Sequence, residues 1–162
     1  MDSRIFHQWV QAHQDRVWSL ARYLLKDASE AEDAAQEAFI KLWDHRHKID
    51  PERVGPWIMR VTRNGCLDRL RRRKPETELT DEQHSDHHGP MSDTQQSEAN
   101  RWLQRAIAGL REPYRSLVVL RDLQQHSYQE VAHATELSLS QVKVYLHRAR
   151  KQLREELAEV RP

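Results

Sequence analysis

Residues 127–151 read Ser127-Tyr128-Gln129-Glu130-Val131-Ala132-His133-Ala134-Thr135-Glu136-Leu137-Ser138-Leu139-Ser140-Gln141-Val142-Lys143-Val144-Tyr145-Leu146-His147-Arg148-Ala149-Arg150-Lys151. Ser127 with Glu130 and Ser138 with Gln141 both have the form of a capping box. In that motif the Ser hydroxyl accepts from the backbone N–H three residues on, and that residue's side chain reaches back. The first box starts a short helix with Val131 and Ala132 inward, giving way near Leu137. The second starts a longer helix to about Val160, with Leu139, Val142, Leu146, Ala149, Leu153 and Leu157 inward. Two capped helices across a very short turn, the second longer and basic, are the sequence form of a helix-turn-helix. The second helix exposes Gln141, Lys143, Val144, Tyr145, His147, Arg148, Arg150 and Lys151. Lys, Arg and Gln near the start of such a helix can reach guanine and adenine edges in the major groove, while neighbouring cations hold phosphates. A basic helix face is by default only solvated; the short capped helix ahead of this one favours DNA.

Upstream, residues 98–110 predict an amphipathic helix through Trp102, Leu103, Ala106, Ile107 and Leu110. Pro113 opens another that buries Leu117, Val118, Leu120 and Leu123. The N-terminal half is helical too. Residues 3–26 place Phe6, Trp9, Val10, Val17, Leu20, Ala21, Leu24 and Leu25 at three- and four-residue spacing. Ser29-Glu30-Ala31-Glu32 predicts a capping box for a second helix, to about Arg46, with Ala35, Ala38, Phe39, Leu42 and Trp43 inward. Asp50-Pro51 and Gly55 end it. Pro56 suits the first turn of a third helix, which buries Trp57, Ile58, Val61, Leu67 and Leu70 and ends in Arg71-Arg72-Arg73-Lys74 before Pro75. Gly65 within it costs about 1 kcal/mol relative to Ala, for no reason visible in the sequence.

The 162 residues carry 26 Lys+Arg and 25 Asp+Glu, a net charge of +1 that hides a strong segregation. Residues 1–75 hold 15 basic and 11 acidic side chains, residues 76–98 none and seven, residues 99–162 11 and seven. Two basic ends flank an acidic bridge. The bridge has Leu79 and Met91 as its only sizeable apolar residues, so residues 76–97 read as a flexible linker that cannot offset its ordering entropy. The fold expected is all-α: two small helical domains, 1–75 and 98–162, joined by that acidic linker, the C-terminal one a helix-turn-helix. The longest aliphatic stretch, Leu117–Leu120, is far short of the ~20 apolar residues that span a bilayer. Met1-Asp2-Ser3-Arg4 lacks a signal-peptide pattern, and the single cysteine, Cys66, can form neither an internal disulfide nor a thiolate zinc site. Direct membrane insertion is not expected, and the cytoplasm is the expected location.

No catalytic constellation emerges. Asp33, Gln36 and Glu37 share a helical face without a third ligand or pocket, so a docking surface or a solvated face suits them better than acid–base chemistry. Asp44, His45 and His47, and likewise His84, His87 and His88, have no spacing that fixes a metal; neither a metal site nor a cofactor is expected. Cys66 reads as a small core residue. The Arg60, Arg63, Arg69, Arg71, Arg72, Arg73, Lys74 cluster, interleaved with Trp57, has the composition of a surface for single-stranded nucleic acid, where cations track the backbone and aromatics hold bases. A solvated basic run is the plain alternative.

In order along the chain, Ala31-Glu32-Asp33-Ala34-Ala35-Gln36-Glu37-Ala38-Phe39, Trp57-Ile58-Met59-Arg60-Val61-Thr62-Arg63-Asn64 with Asp68 and the Arg run, Leu110-Arg111-Glu112-Pro113, Ser127-Tyr128-Gln129-Glu130-Val131-Ala132 and Val142-Lys143-Val144 with His147-Arg148-Ala149-Arg150 resemble the extracytoplasmic-function (ECF) sigma factors of the sigma-70 family. The resemblance covers nearly the whole chain and implies an alternative RNA polymerase sigma factor, not an enzyme. The Asp33, Gln36, Glu37, Phe39 helix would dock on the clamp helices of the polymerase β′ subunit. The 47–56 loop and the helix carrying Trp57, Arg60, Arg63, Asn64, Arg71, Arg72 and Arg73 would read the melted −10 element, with Asn64 at the flipped base and the arginines on phosphates. Gln141, Lys143, Val144, Tyr145, His147, Arg148 and Arg150 would read the −35 element, with that domain on the β flap. The acidic linker would mimic nascent RNA in its exit path. An anti-sigma factor is a further implied partner. Tyr145 stands where the family often has Arg, and Gly65 directly follows Asn64. The alternative is a stand-alone helix-turn-helix regulator whose first half senses a signal or dimerises.

Overall fold

The computed structural model describes residues 3–73 and 97–160, and every regular element among them is helical. The expected linker lies outside the described residues except for Ser97, as do His84, His87 and His88. In chain order the elements are α1 (Ser3–Leu25), α2 (Ala28–Asp44), a 3₁₀ turn (Pro51–Arg53), α3 (Val54–Arg72), α4 (Glu98–Ala108), α5 (Tyr114–Val118), a π turn (Val119–Leu123), α6 (Tyr128–Thr135) and α7 (Leu139–Val160).

Helices α1, α2 and α3 pack mutually. Leu20, Leu24, Leu25, Leu42 and Ile58 are essentially inaccessible, each contributing about 2 kcal/mol relative to exposure. The inward face of α2 is Ala31, Ala34, Ala35 and Ala38, with Leu42 at its end. Small side chains there let α1 and α3 approach closely. The helix starts differently from the expected Ser29 box. Asp27 is the N-cap, and its Oδ1 accepts from the Ser29 and Glu30 backbone N–H groups at 2.8 and 3.2 Å. A carboxylate satisfying two orphan donors beside the positive end of the helix dipole prevails over a neutral hydroxyl two residues later.

The second unit buries Ile107, Leu110, Leu117–Leu120, Val131, Ala134, Val142, Leu146, Ala149 and Leu153. Both helix-turn-helix boxes form. Ser127 accepts from Glu130 N at 3.1 Å and Glu130 accepts from Ser127 N at 2.8 Å; Ser138 and Gln141 repeat the exchange at 3.1 and 2.9 Å. Between them Glu136 adopts the left-handed conformation (φ 60°) that closes α6. Four apolar residues expected on inward faces are partly exposed: Trp43 at 36%, Trp102 at 38%, Leu123 at 42% and Leu139 at 40%. Leu123 ends the π turn, whose wider winding rotates it off the face that a continuous α-helix from Pro113 would have buried. Leu139 is the first residue of α7, ahead of the turn that packs on the core.

The two units contact each other broadly. Helix α3 lies against α6, and α1 against α5 and the π turn.

Candidate nucleic-acid and polymerase interfaces

On α7, Gln141, Lys143, Val144, His147 and Arg148 are exposed, and Val144 at 46% is a bare apolar residue among cations. This outward stripe combines charge for phosphates with an aliphatic group suited to a thymine methyl. Gln141 spends its Oε1 on the Ser138 N–H, leaving its amide NH₂ to donate. Tyr145 is half-buried, edge-on to Tyr114 with ring centroids 5.9 Å apart, and the Arg148 guanidinium lies 5.7 Å from its ring. Arg150 turns away from the stripe. Its Nε and Nη2 donate to the Asp122 carboxylate at 3.1 and 2.7 Å, and that bonding raises its pKa. It fixes α7 to the π turn.

Helix α3 distributes the residues expected at a −10 reader very unevenly. Trp57 is half-buried against His45, with centroids 5.6 Å apart, and Arg60 is half-buried. Arg71 and Arg72 are exposed, Arg72 pairing with Asp68 at 3.3 Å. Arg73 is bonded to Glu30 and, at 3.2 Å, to the Leu25 carbonyl; Arg69 pairs with Glu37 at 2.6 Å. The last two therefore clamp α3 to the first two helices. Arg63 is only 8% exposed. It points into the second unit, donating from Nε to Ser116 Oγ (2.9 Å), from Nη1 to the Thr135 carbonyl (3.4 Å) and from Nη2 to Glu112 (3.3 Å). Asn64 is exposed and donates to Glu136 at 2.9 Å.

Sequence reasoning missed an aromatic group beside the 47–56 loop. Phe6 meets Trp43 edge-on at 4.9 Å, and the Arg46 guanidinium lies 3.6 Å from the Trp43 ring centre. Arg46 lies in the turn that follows α2 and also donates from Nη1 to the Trp43 carbonyl at 2.7 Å, so a helical reading of this stretch does not show the contact. His45 donates from Nδ1 to the Lys41 carbonyl at 2.8 Å. No group of three metal-ligating side chains occurs among the described residues.

Asp33, Gln36 and Glu37 project from the outer face of α2, and Phe39 is half-buried beside them. Gln36 and Phe39 line a groove of about 650 Å³ between α1 and α2, with Val10, Trp18, Ala35 and Ile40. Ile40 is 60% exposed. The acidic residues lining this groove are Asp15 and Glu32. Among the described residues no helix is long and apolar enough to cross a membrane.

Residues 9–76 match the family described as Sigma-70 region 2, and residues 100–153 that described as Sigma-70, region 4. The chain is 30% identical over 146 residues to the ECF RNA polymerase sigma factor SigM of Bacillus subtilis, covering 89% of this chain and 90% of that protein. It is 35% identical to the RNA polymerase sigma-E factor of Streptomyces coelicolor (94% and 85% covered). To the ECF RNA polymerase sigma factor SigE of Mycolicibacterium smegmatis it is 33% identical, spanning 60% of that protein's length. Among solved structures, the sigma factor RpoE of Bartonella quintana, in complex with the anti-sigma factor NepR, superposes with a TM-score of 0.79 at 21% identity, covering 96% of this chain and 98% of that one. CnrH, in complex with the cytosolic domain of CnrY, gives 0.71 at 24% (98% and 90%). With its two regions matched in order and whole-length relatives of this kind, the chain belongs to the ECF sigma factors of the sigma-70 family.

Proposed function

We propose that this ECF sigma factor works as a bipartite promoter reader without catalysis of its own, acting on polymerase in the cytoplasm. Residues 1–75 form the polymerase-docking and −10 domain, 76–97 the acidic linker, and 98–162 the −35 domain. The α2 face of Asp33, Gln36, Glu37 and Phe39 meets the β′ clamp helices, and the second domain sits on the β flap. Trp57, Arg60, Arg63, Asn64, Arg71, Arg72 and Arg73 serve the melted −10 strand. Lys143, Val144, His147 and Arg148, with Gln141 and Tyr145, face the −35 groove; Arg150 supports them through Asp122. An anti-sigma factor is a fitting partner, since RpoE of Bartonella quintana is described in complex with one. The observation that carries this reading is the exposed Lys143, Val144, His147 stripe on a helix capped by the Ser138–Gln141 box and preceded by a short helix capped by the Ser127–Glu130 box.

Each domain alone binds DNA weakly, and polymerase multiplies the two by holding them together. Run-off transcription on fragmented genomic DNA, mapped by sequencing with core polymerase, tests this directly. New start sites sharing two spaced motifs are expected. Lys143→Ala is expected to relax the upstream motif by about 1–3 kcal/mol of base discrimination, and Asn64→Ala to relax the downstream one separately. Specific duplex binding by the protein alone, with no new starts, would instead identify a stand-alone regulator.

A further inference from the structure

Between α2 and α3 the chain turns through His45-Arg46-His47-Lys48, and this turn carries a flat stack outside the residues assigned to DNA. Arg46 holds its guanidinium 3.6 Å from the Trp43 ring centre, and its Nη1 donates to the Trp43 carbonyl at 2.7 Å, which fixes the cation over the indole. Phe6 of α1 backs the same indole edge-on at 4.9 Å. Trp43 nevertheless stays 36% exposed, and so do its sequence neighbours Lys41, His45, His47 and Lys48 stay exposed. The arginines of α3 are largely spent on carboxylates: Arg63 on Glu112, Arg69 on Glu37, Arg72 on Asp68 and Arg73 on Glu30. Among the described residues Lys41, Arg46 and Lys48 have no such partner.

Capping the last carbonyls of α2 is the plain role for Arg46, and a Lys would serve it. A solvent-facing indole with a planar cation clamped on it goes further. It offers a flat face for stacking with positive charge beside it, the combination that holds single-stranded nucleic acid. The turn also adjoins the −10 helix, because His45 lies against Trp57 in the first turn of α3 with ring centroids 5.6 Å apart. Asn64 follows Trp57 by about 10 Å along that helix, a span that two or three nucleotides cover at ~3.4 Å each.

Resting on the promoter-reading function above, we infer that the Trp43–Arg46 stack is a further base-holding site for the melted −10 strand, taking one unpaired base two or three nucleotides from the base assigned to Asn64. The base lies flat on the guanidinium, the indole supports the guanidinium from its other side, and Lys41 and Lys48 attract the flanking phosphates. Stacking accepts the face of any base, so the site favours the melted strand over the duplex more than it selects sequence.

The test uses holoenzyme, the full chain with core polymerase, on a forked promoter fragment taken from the mapped start sites, with the −10 bases of one strand unpaired. Abasic sites, which remove a base and keep its phosphate, are placed one at a time through the unpaired stretch. Fork affinity is measured for the wild-type chain and for Arg46→Lys, which keeps the charge and a capping donor but has no plane. At one position two or three nucleotides from the Asn64 base, the abasic site is expected to weaken wild-type binding about tenfold. Arg46→Lys is expected to weaken binding of the intact fork by the same factor and to make the abasic site at that position silent. Affinity of Arg46→Lys within about twofold of wild type, or a loss equal on every abasic fork, overturns the proposal, since neither shows coupling between the side chain and one base. If Arg46→Lys does not fold, Trp43→Phe, which keeps an aromatic ring against Phe6 on a smaller platform, repeats the measurement. Wild-type holoenzyme without new transcription starts would sink the sigma reading and this site with it; new starts with no coupled position would sink this site alone.

Discussion

Gly65 occupies the middle of α3 with an ordinary helical backbone, and a Cβ placed there would meet nothing within 4 Å. No turn, close approach or strain in the chain's own packing requires it, so Gly65→Ala is expected to stabilise the fold by about 1 kcal/mol. A urea melt measures this as a higher midpoint at unchanged slope; a lower midpoint would contradict it. Two residues earlier, Arg63 shows where single-residue reading stops. As one member of an arginine-rich stretch it is indistinguishable from Arg60 or Arg71, because its acceptors lie 49 to 72 positions away. The same holds for Arg69 and Arg73, which the sequence groups with that basic run: their partners Glu37 and Glu30 lie on α2, 32 and 43 positions away.

At the scale of elements, the helices were legible because apolar residues recur at helical period, and the two boxes of the helix-turn-helix because their signal spans four residues. Local patterns fail where two compete, as Asp27 and Ser29 do at the start of α2, or where winding changes, as in the π turn at Val119–Leu123. The boxes carry a prediction of their own. Ser127→Ala and Ser138→Ala are each expected to lower stability by about 1 kcal/mol, readable as lower thermal midpoints. Ser138→Ala removes only the hydroxyl that accepts from the Gln141 backbone N–H, while the residue-138 N–H still donates to Gln141 Oε1, so −35 preference in run-off transcription is expected to be retained by both variants.

Across the whole molecule, three histidines sit where the two units meet, and their pKa values are all lowered. For His126 the cause is burial first, then Arg16 and His13 of α1, against an opposing pull from Glu130. His13 is lowered by burial and Arg16, and His133 by burial and then Arg60 and Arg53 of the first unit, against Glu136. The native state therefore binds fewer protons than the unfolded chain. Stability rises with pH across this range and falls as pH drops through 6.5, the unfolded value, toward the lower native ones. Urea midpoints measured across that range should show the decline, and His126→Gln, which cannot titrate, should flatten it; an unchanged slope would rule out His126 as a contributor. None of this was legible in the sequence, since the cations that lower His126 and His133 come from distant segments.

The alanine seam of α2 has a separate consequence for how such a protein changes over generations. Ala31, Ala34, Ala35 and Ala38 hold the helix against its neighbours, while Asp33 and Gln36 look outward from the same few turns. Substitutions at the seam strike the fold and are purged; substitutions at the outward positions leave it standing. A lineage can thus rewrite whom α2 greets, residue by residue, without ever passing through an unfolded ancestor.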